Sequence, residues 1–415
     1  MIVQWTDKRT VSPVDRHSPA SPRQQHDHNL ALVSRLVAEH GPASRAGLAS
    51  HSGLTKTTVA QLAGELIDAG LVRELGTART SGPGRPATHL VLNSSGPVGI
   101  GLQIEADHVA GCLFDLGGRV RDRALRRAED LRGDPAAAVK AAEPVLRRLL
   151  ASAAARDTVV AGVTAGVPGT VTGDGRASSR ELGWTGAELS RLLTRRIAEL
   201  SGGTIPVAVR SAFRLAALAQ RWFGESPPSG APVVVVSGEL SLGAAVTSAG
   251  DAESETDGHS GELGHVRVRA RGARCRCGRR GCLDTVAGPR TLLAGLAPEA
   301  RAASRLVGGD RLRRLLPTPG SGGGDAVVRP AASALADALA GTVLLVGPAP
   351  VVVGGALALL GPAFADRVAA ELEQRCPGAC PAVSVSRLDG DAVARAAAAS
   401  VTRRLVEEPA RWLAS

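Results

Sequence analysis

The chain has almost no lysine. Of its 49 basic residues only Lys8, Lys56 and Lys140 are lysines, so the net charge of +10 is carried almost wholly by arginine. A positive balance of that size favours a polyanionic partner such as nucleic acid. Arginine rich sequences with abundant Ala and Gly also reflect genome composition, so the placement of the charge weighs more than its sum. A long uninterrupted apolar run is missing as well. The most apolar stretch, 343 to 360, is broken by Gly347, Pro348, Pro350, Gly354 and Gly355, and reads as buried strands and turns rather than a membrane span. The first 27 residues lack the apolar core of a signal peptide; polar, of mixed charge and carrying Pro13, Pro19 and Pro22, they read as a disordered arm. These absences point to a cytoplasmic protein, where free thiols are expected. At 415 residues the chain has material for two or three domains.

Of six cysteines, three fall within the eight residues from Cys275 to Cys282, and His265 precedes them. One imidazole and three thiols, His265, Cys275, Cys277 and Cys282, form the ligand set of a closed, structural tetrahedral zinc site, and Gly278 and Gly281 allow the tight loop that brings the sulfurs together. A chance cluster is the plainer alternative, and the shared hairpin argues against it.

The run Glu262-x-Gly-His265, then Cys275-x-Cys277-Gly-x-x-Gly-Cys282-Leu-Asp284, resembles the signature of the ROK family, named for repressors, open reading frames and kinases. The family has Glu where this chain has Asp284. The resemblance runs from about residue 28 to about 405 and is to regulators of the NagC/XylR type. It implies an α/β fold: a winged helix-turn-helix over 28–95, then a two-lobed, actin-like ATPase domain of the sugar kinase kind, with lobes at 97–230 and 231–405 and the last helix returning to the first lobe. Val98 to Ile104 should be the first strand of that domain, Val159 to Val163 a later one, and Val233 to Val236 should open the second lobe.

The amino-terminal residues support a DNA reader on their own terms. Leu32, Val33, Leu36 and Val37 fall at helical spacing, and Gly41-Pro42 ends that helix. From Arg45 to Leu66 the spacing is that of a helix-turn-helix, with Ser44 and Thr55 as N-caps, Ala49 at the crossing and Gly53 in the turn. The first turn after Thr55 should then present Lys56, Thr57 and Thr58 to a major groove. Thr88 to Leu92 reads as a strand of a wing whose tip lies at Ser81 to Arg85. No acid occurs between Glu74 and Glu105, while Arg79 and Arg85 do. Gly84-Arg85-Pro86 resembles the element of ROK repressors in which an arginine enters a minor groove. A three-helix protein-interaction module is the competing reading.

The kinase motifs that the family uses are degenerate here. Family kinases bind phosphate with an Asp-x-Gly-Gly-Thr turn after the first strand; this chain has Gln103-Ile104-Glu105-Ala106-Asp107, where acids would repel phosphate. Their general base is the aspartate of Asn-Asp-x-Asn; the matching run is Ser211-Ala212-Phe213-Arg214, and Ala212 cannot accept a proton. ATP is therefore not expected as a ligand. Gly238 to Gly243 is a glycine-flanked turn, compatible with phosphate approach or with an ordinary hairpin. Glu262, His265 and Asp284 match the family residues that contact sugar hydroxyls, or Glu262 serves only to orient the zinc ligand. Ser211, Ala212 and Arg214 alter the opposite side, leaving an altered ligand and no ligand both open.

Seven arginines lie between His265 and Cys282, of which Arg267, Arg269 and Arg271 should share the solvent face of one strand. Cys112, Cys376 and Cys380 read as ordinary thiols. The whole predicts a non-enzymatic transcriptional regulator, a homodimer or homotetramer, that binds a double-stranded operator and responds to a sugar or sugar-derived effector. A bifunctional sugar kinase with a fused DNA-binding domain is the rival.

Overall fold

The computed structural model describes residues 21–75, 88–128, 130–225, 231–248, 259–296 and 325–414. The chain forms two compact units, one of residues up to 91 together with 406 onward, the other of residues 92–405.

The smaller unit opens on α1 (Pro22–His40). Ser21 Oγ accepts from the Gln24 N–H at 3.2 Å and Gln24 Oε1 accepts from the Ser21 N–H at 2.8 Å, a reciprocal cap that satisfies two donors of the first turn. The helix thus begins at Pro22, and the arm expected to reach residue 27 already belongs to it from there; residues 1–20 lie outside the described residues. Leu30, Val33, Leu36 and Val37 bury one stripe of α1. β1 (Ala43–Ser44) leads into α2 (Arg45–Ser52), whose N-cap Ser44 accepts from the Gly47 N–H. After a turn at 53–55 comes α3 (Lys56–Asp68), capped by Thr55. The three helices pack on one another through Leu48, Val59, Leu62 and Leu66, each at most 2% exposed. β2 (Val72–Leu75) and β3 (His89–Leu92) complete a sheet of order β1-β3-β2. A short carboxy-terminal helix, Pro409–Leu413, joins this unit, and Trp412 Nε1 donates to the Ala69 carbonyl at 3.2 Å.

The larger unit holds two sheets of the same design. In the first, β4 (Val98–Ile104), β5 (His108–Asp115) and β6 (Val120–Arg127) form an antiparallel meander. After α4 (Pro135–Ala154), β7 (Val160–Val167) joins β4 in parallel. The short β8 (Thr170–Val171), β9 (Ala177–Ser179) and β10 (Trp184–Ala187) form a side sheet, and α5 (Leu189–Ser201) leads to β11 (Val207–Ser211), parallel to β7. α6 (Ala212–Phe223) follows. The second sheet repeats the plan with β12 (Val233–Ser237), β13 (Gly243–Thr247) and β14 (His259–Gly261) as the meander. α7 (Pro289–Leu296) and α8 (Asp325–Val346) precede β15 (Val351–Val353), and α9 (Pro362–Arg375) precedes β16 (Val383–Val385), both strands parallel to β12 or to each other. α10 (Ala392–Glu407) closes the unit.

The helix ending each half crosses to the other. α6 packs on β12 and β13, while α10 lies on β4. The sequence of β4 explains the second contact. Ile100 and Leu102 point to the face covered by α4, whereas Gly99 and Gly101 point to α10, where a Cβ at 101 would stand 1.9 Å from the Ala394 carbonyl oxygen. Glycine on one face of the strand, and alanine along 396–399 of the helix, let the two backbones approach. Leu215, Leu218 and Ala219 of α6 meet Ala396 and Ala397 of α10, so these two helices form the floor between the lobes.

The stretch 343–360 is not strands and turns throughout: it begins as the end of α8, where Leu344 and Leu345 are 63% and 86% exposed. α8 is long and apolar enough to cross a bilayer by composition, but Ala331, Leu335, Leu339 and Val343 are buried in the second lobe's core.

Candidate functional site

The metal candidate is built on a hairpin. Cys275 N–H donates to the Arg279 carbonyl at 2.7 Å, Gly281 N–H to Ala273 at 2.9 Å and Leu283 N–H to Val266 at 2.8 Å, which brings the loop back onto the turn carrying His265. At Gly281 φ is +73° and a Cβ would lie 1.6 Å from the Arg269 carbonyl oxygen, so only glycine closes this loop. The segment from Arg267 is not the regular strand expected from its alternation. Two isolated bridges form instead, Arg267 to Cys282 and Arg274 to Arg280, and the Val268 and Arg269 N–H groups both turn to the Gly281 carbonyl.

One donor atom from each of His265, Cys275, Cys277 and Cys282 lies within 4.8 Å of the other three. Cys275 Sγ is 3.6 Å from His265 Nδ1, and Cys277 Sγ is 3.6 Å from Cys282 Sγ. A tetrahedral zinc with Zn–S of about 2.3 Å and Zn–N of about 2.0 Å requires edges of about 3.5 to 3.8 Å, which these two edges meet. The sulfurs are too far apart for a disulfide, and all six cysteines are free. Burial lowers the His265 pKa and keeps the ring neutral, as a ligand must be. Burial opposes the Cys277 thiolate, but hydrogen bonds from Arg279 outweigh it and lower that thiol, while burial pushes Cys282 up to about 12. A dication is the kind of group that would draw the remaining sulfurs to thiolate. With four protein donors, such a site has no open position for catalysis.

Beside the quartet, the acids expected to meet sugar hydroxyls are already engaged. Arg180, between β9 and β10, donates its backbone N–H to Glu262 Oε1 at 2.9 Å and its guanidinium to Oε2 at 2.6 Å. The neighbouring Glu181, 5% exposed, pairs with Arg290 at 2.5 Å. Asp284 Oδ1 accepts from the Leu242 N–H at 3.0 Å, and burial pushes its carboxyl up to about 7. Glu262 Oε1 is 4.0 Å from His265 Nε2, near the ring but beyond hydrogen-bond distance. Arg180 is the residue that sequence reasoning missed; it stands 82 positions from its partner, and no local pattern links them.

On the opposite side Ala212 is buried at the start of α6. Arg214, expected to add charge to the site, is instead 2% exposed, with its guanidinium donating to the Val246 carbonyl at 3.1 Å. A cavity of about 600 Å³ is lined by Gln103, Glu105, His108, Ala212, Ser237 and Ser386 among others. In the turn between β4 and β5 the Glu105 N–H donates to the His108 carbonyl, and Gln103 Nε2 donates to Glu105 Oε1 at 3.1 Å. Burial pushes the Glu105 carboxyl up to about 8, against the pull of His108 and the Gln103 hydrogen bond. Burial opposes the charge on His108, yet its hydrogen bond to Asp107 and the nearby carboxylates raise its pKa. The turn 238–243 is the hairpin between β12 and β13.

In the smaller unit, α3 buries Val59, Leu62, Ala63 and Leu66 and leaves Lys56, Thr57, Ala60 and Gln61 exposed. Thr58 is half-buried, and its hydroxyl lies 2.9 Å from that of Thr55, tied into the cap. Arg79 and Arg85, with the expected wing tip, lie outside the described residues.

A family model described as the ROK family matches residues 99–402. The chain belongs to the ROK family. A second model, described as DNA glycosylase AlkZ-like, matches residues 2–91 only. Among relatives of this ROK protein, the xylose repressor of Bacillus subtilis is 24% identical over 277 residues, 66% of this chain and 70% of that one. The DNA-binding transcriptional dual regulator NagC of Escherichia coli is 28% identical over 270 residues, 62% of each chain. A solved ROK family transcriptional regulator, described as a homologue of the E. coli MLC protein, superposes with a TM-score of 0.68 at 22% identity, covering 94% of this chain and all of that one. A ROK glucokinase from Streptomyces griseus superposes at 0.57 with 20% identity, covering 73% of this chain and 98% of its own. The two-lobed α/β architecture is thus that of the actin-like ROK domain, and the chain is a ROK regulator of the NagC/XylR type.

Proposed function

We propose that this ROK protein is a DNA-binding transcriptional repressor whose kinase-like domain does not transfer phosphate and whose metal hairpin holds one structural zinc. The observation that carries the DNA reading is the surface of α3: its apolar residues face α1 and α2, and its first turn leaves Lys56 and Thr57 exposed after the Thr55 cap. Helix, turn, helix and a β1-β3-β2 sheet are the parts of a winged helix, in which such a turn enters the major groove. Arg79 and Arg85 on the connection between β2 and β3 would add contacts to the backbone and the minor groove. Relatives named xylose repressor and N-acetylglucosamine repressor support the same reading.

Loss of catalysis is supported by two local features. Ala212 offers no base, and Glu105, whose carboxyl burial pushes up to about 8, stands with Asp107 in the turn where family kinases bind phosphate. Glu262, His265 and Asp284 remain the candidate effector contacts, with Glu262 held by Arg180. We read the protein as a homodimer or homotetramer acting on an inverted repeat, with half-sites about 34 Å apart or a multiple of that. Footprinting of the full chain on the DNA upstream of its own gene, with and without Lys56→Ala, tests this. A protected repeat weakened by the substitution is expected; no protection, or protection indifferent to α3, would favour a protein-interaction module.

A further inference from the structure

Several arginines of this protein are neutralised by carboxylates. Arg45 pairs with Glu74, Arg123 with Asp391, Arg148 with Asp122, Arg196 with Glu143 and Arg375 with Asp337. In the metal hairpin one of seven arginines has such a carboxylate partner among the described residues. Arg269 reaches Asp337 at 3.4 Å, and Arg279 donates to the His265 carbonyl at 3.1 Å. Arg267, Arg271, Arg274, Arg276 and Arg280 are exposed and have no partner among the described residues. Arg274 and Arg280, moreover, stand directly opposite each other in an antiparallel bridge. Like charges directly opposite each other are unfavourable in a β pair. An anion placed between them would remove the penalty.

The surroundings select the anion. The hairpin from 266 to 282 carries no aromatic residue, and its exposed large apolar side chain is Val266 alone, 41% exposed. Protein interfaces gather aromatic and apolar groups at a dry centre, which this surface does not offer. What it offers is a set of guanidinium forks on a rigid loop, the donor geometry that matches phosphate oxygens. We propose that the arginine face of the metal hairpin, centred on the opposed Arg274 and Arg280, is a DNA contact that takes the phosphodiester backbone of the double helix without reading its sequence. It stands apart from operator reading by α3, which can fail while this contact holds.

The test uses the full chain and a duplex that lacks the operator, with affinity measured over a range of salt. Each neutralised phosphate adds about 0.9 to the slope of log K against log salt. The variant R271Q/R274Q/R280Q should therefore show a slope shallower by about 2 to 3. The variant R271K/R274K/R280K should keep the slope of the unchanged chain. Lys56→Ala, aimed at α3, should leave the difference between the Gln variant and its parent intact, which separates this contact from the operator reading. Arg280→Gln alone should raise the melting temperature at low salt, because it removes the like-charged pair. Zinc content equal to the parent's certifies each variant, and the single substitution still decides if the triple one does not fold. An unchanged slope in the Gln variants overturns the proposal. So does binding of poly-L-glutamate more tightly than the duplex and lost in the same variants, which would assign the face to an acidic protein.

Discussion

Arg180 holds both oxygens of Glu262, one through its backbone N–H at 2.9 Å and one through its guanidinium at 2.6 Å. The carboxylate is only 10% exposed while the guanidinium is half-exposed. A carboxylate that a sugar hydroxyl would approach is thus already supplied with donors. An effector must either compete with Arg180 or bind while leaving this pair in place.

Arg180→Ala leaves a largely buried carboxylate with one donor fewer. Because the guanidinium is partly solvated, the expected cost is modest, about 1 kcal/mol, read as a small drop in melting temperature. The same variant should gain a thermal shift with sugars that leave the parent unmoved. A variant as stable as its parent and equally unresponsive would show that Arg180 does not mask Glu262.

Metal analysis of purified protein should give one zinc per chain. Cys277→Ser should lose it, melt at lower temperature and aggregate, because a structural zinc contributes folding free energy directly. Folded, soluble protein free of metal after mild purification would contradict this.

Stability should fall with rising pH through a defined window. Glu105 has its pKa raised from 4.5 to about 8, so the folded state holds this proton where the unfolded chain has released it. Its contribution is complete below about 4.5 and is lost as pH rises towards about 8. His108, also raised, acts in the same direction: its contribution is present below 6.5 and lost above it. Glu105→Gln, which keeps the shape and cannot ionise, should flatten the dependence of melting temperature on pH between 5 and 8. Parallel curves for parent and variant would place Glu105 in a wetter setting than its burial indicates.

No hexose or N-acetylhexosamine should be phosphorylated by ATP above a control without protein. Ala212→Asp restores a base but not a phosphate turn, so it should remain inactive as well. Turnover in either protein that disappears on Glu262→Ala would establish a kinase.

Lys56→Ala should weaken operator binding. If Lys56 reads a base, the loss falls at one base pair and amounts to about 1 to 3 kcal/mol; if it meets phosphate, affinity falls for all sequences and the salt slope drops by about one. Gel-shift titrations on the operator and on scrambled duplex distinguish the two. Equal affinity of parent and variant on both would remove α3 from the interface.

Features set by neighbours in the chain were legible in the residues alone. Thr55 and Ser44 cap their helices because a hydroxyl placed before a helix meets the free N–H groups of its first turn, whatever the rest of the chain does. The quartet of His265, Cys275, Cys277 and Cys282 was visible because its donors lie within 18 residues and converge through one hairpin. The strands at Val98–Ile104 and Val233–Ser237 were expected from the family resemblance, the first being interrupted by Gly99, Gly101 and Gln103. The tertiary structure decided what distant segments do to each other. Arg214 reads as a charge in the site, but the packing of α6 on β13 buries it against the Val246 carbonyl. Arg180 finds Glu262, and Arg290 finds Glu181, across separations at which sequence carries no spacing rule. Glu105 reads as a charge that repels phosphate, yet burial in the folded unit favours its neutral form. Caps, periodicity and metal spacing are short-range geometry, whereas ion pairing and burial depend on which surfaces the fold brings together.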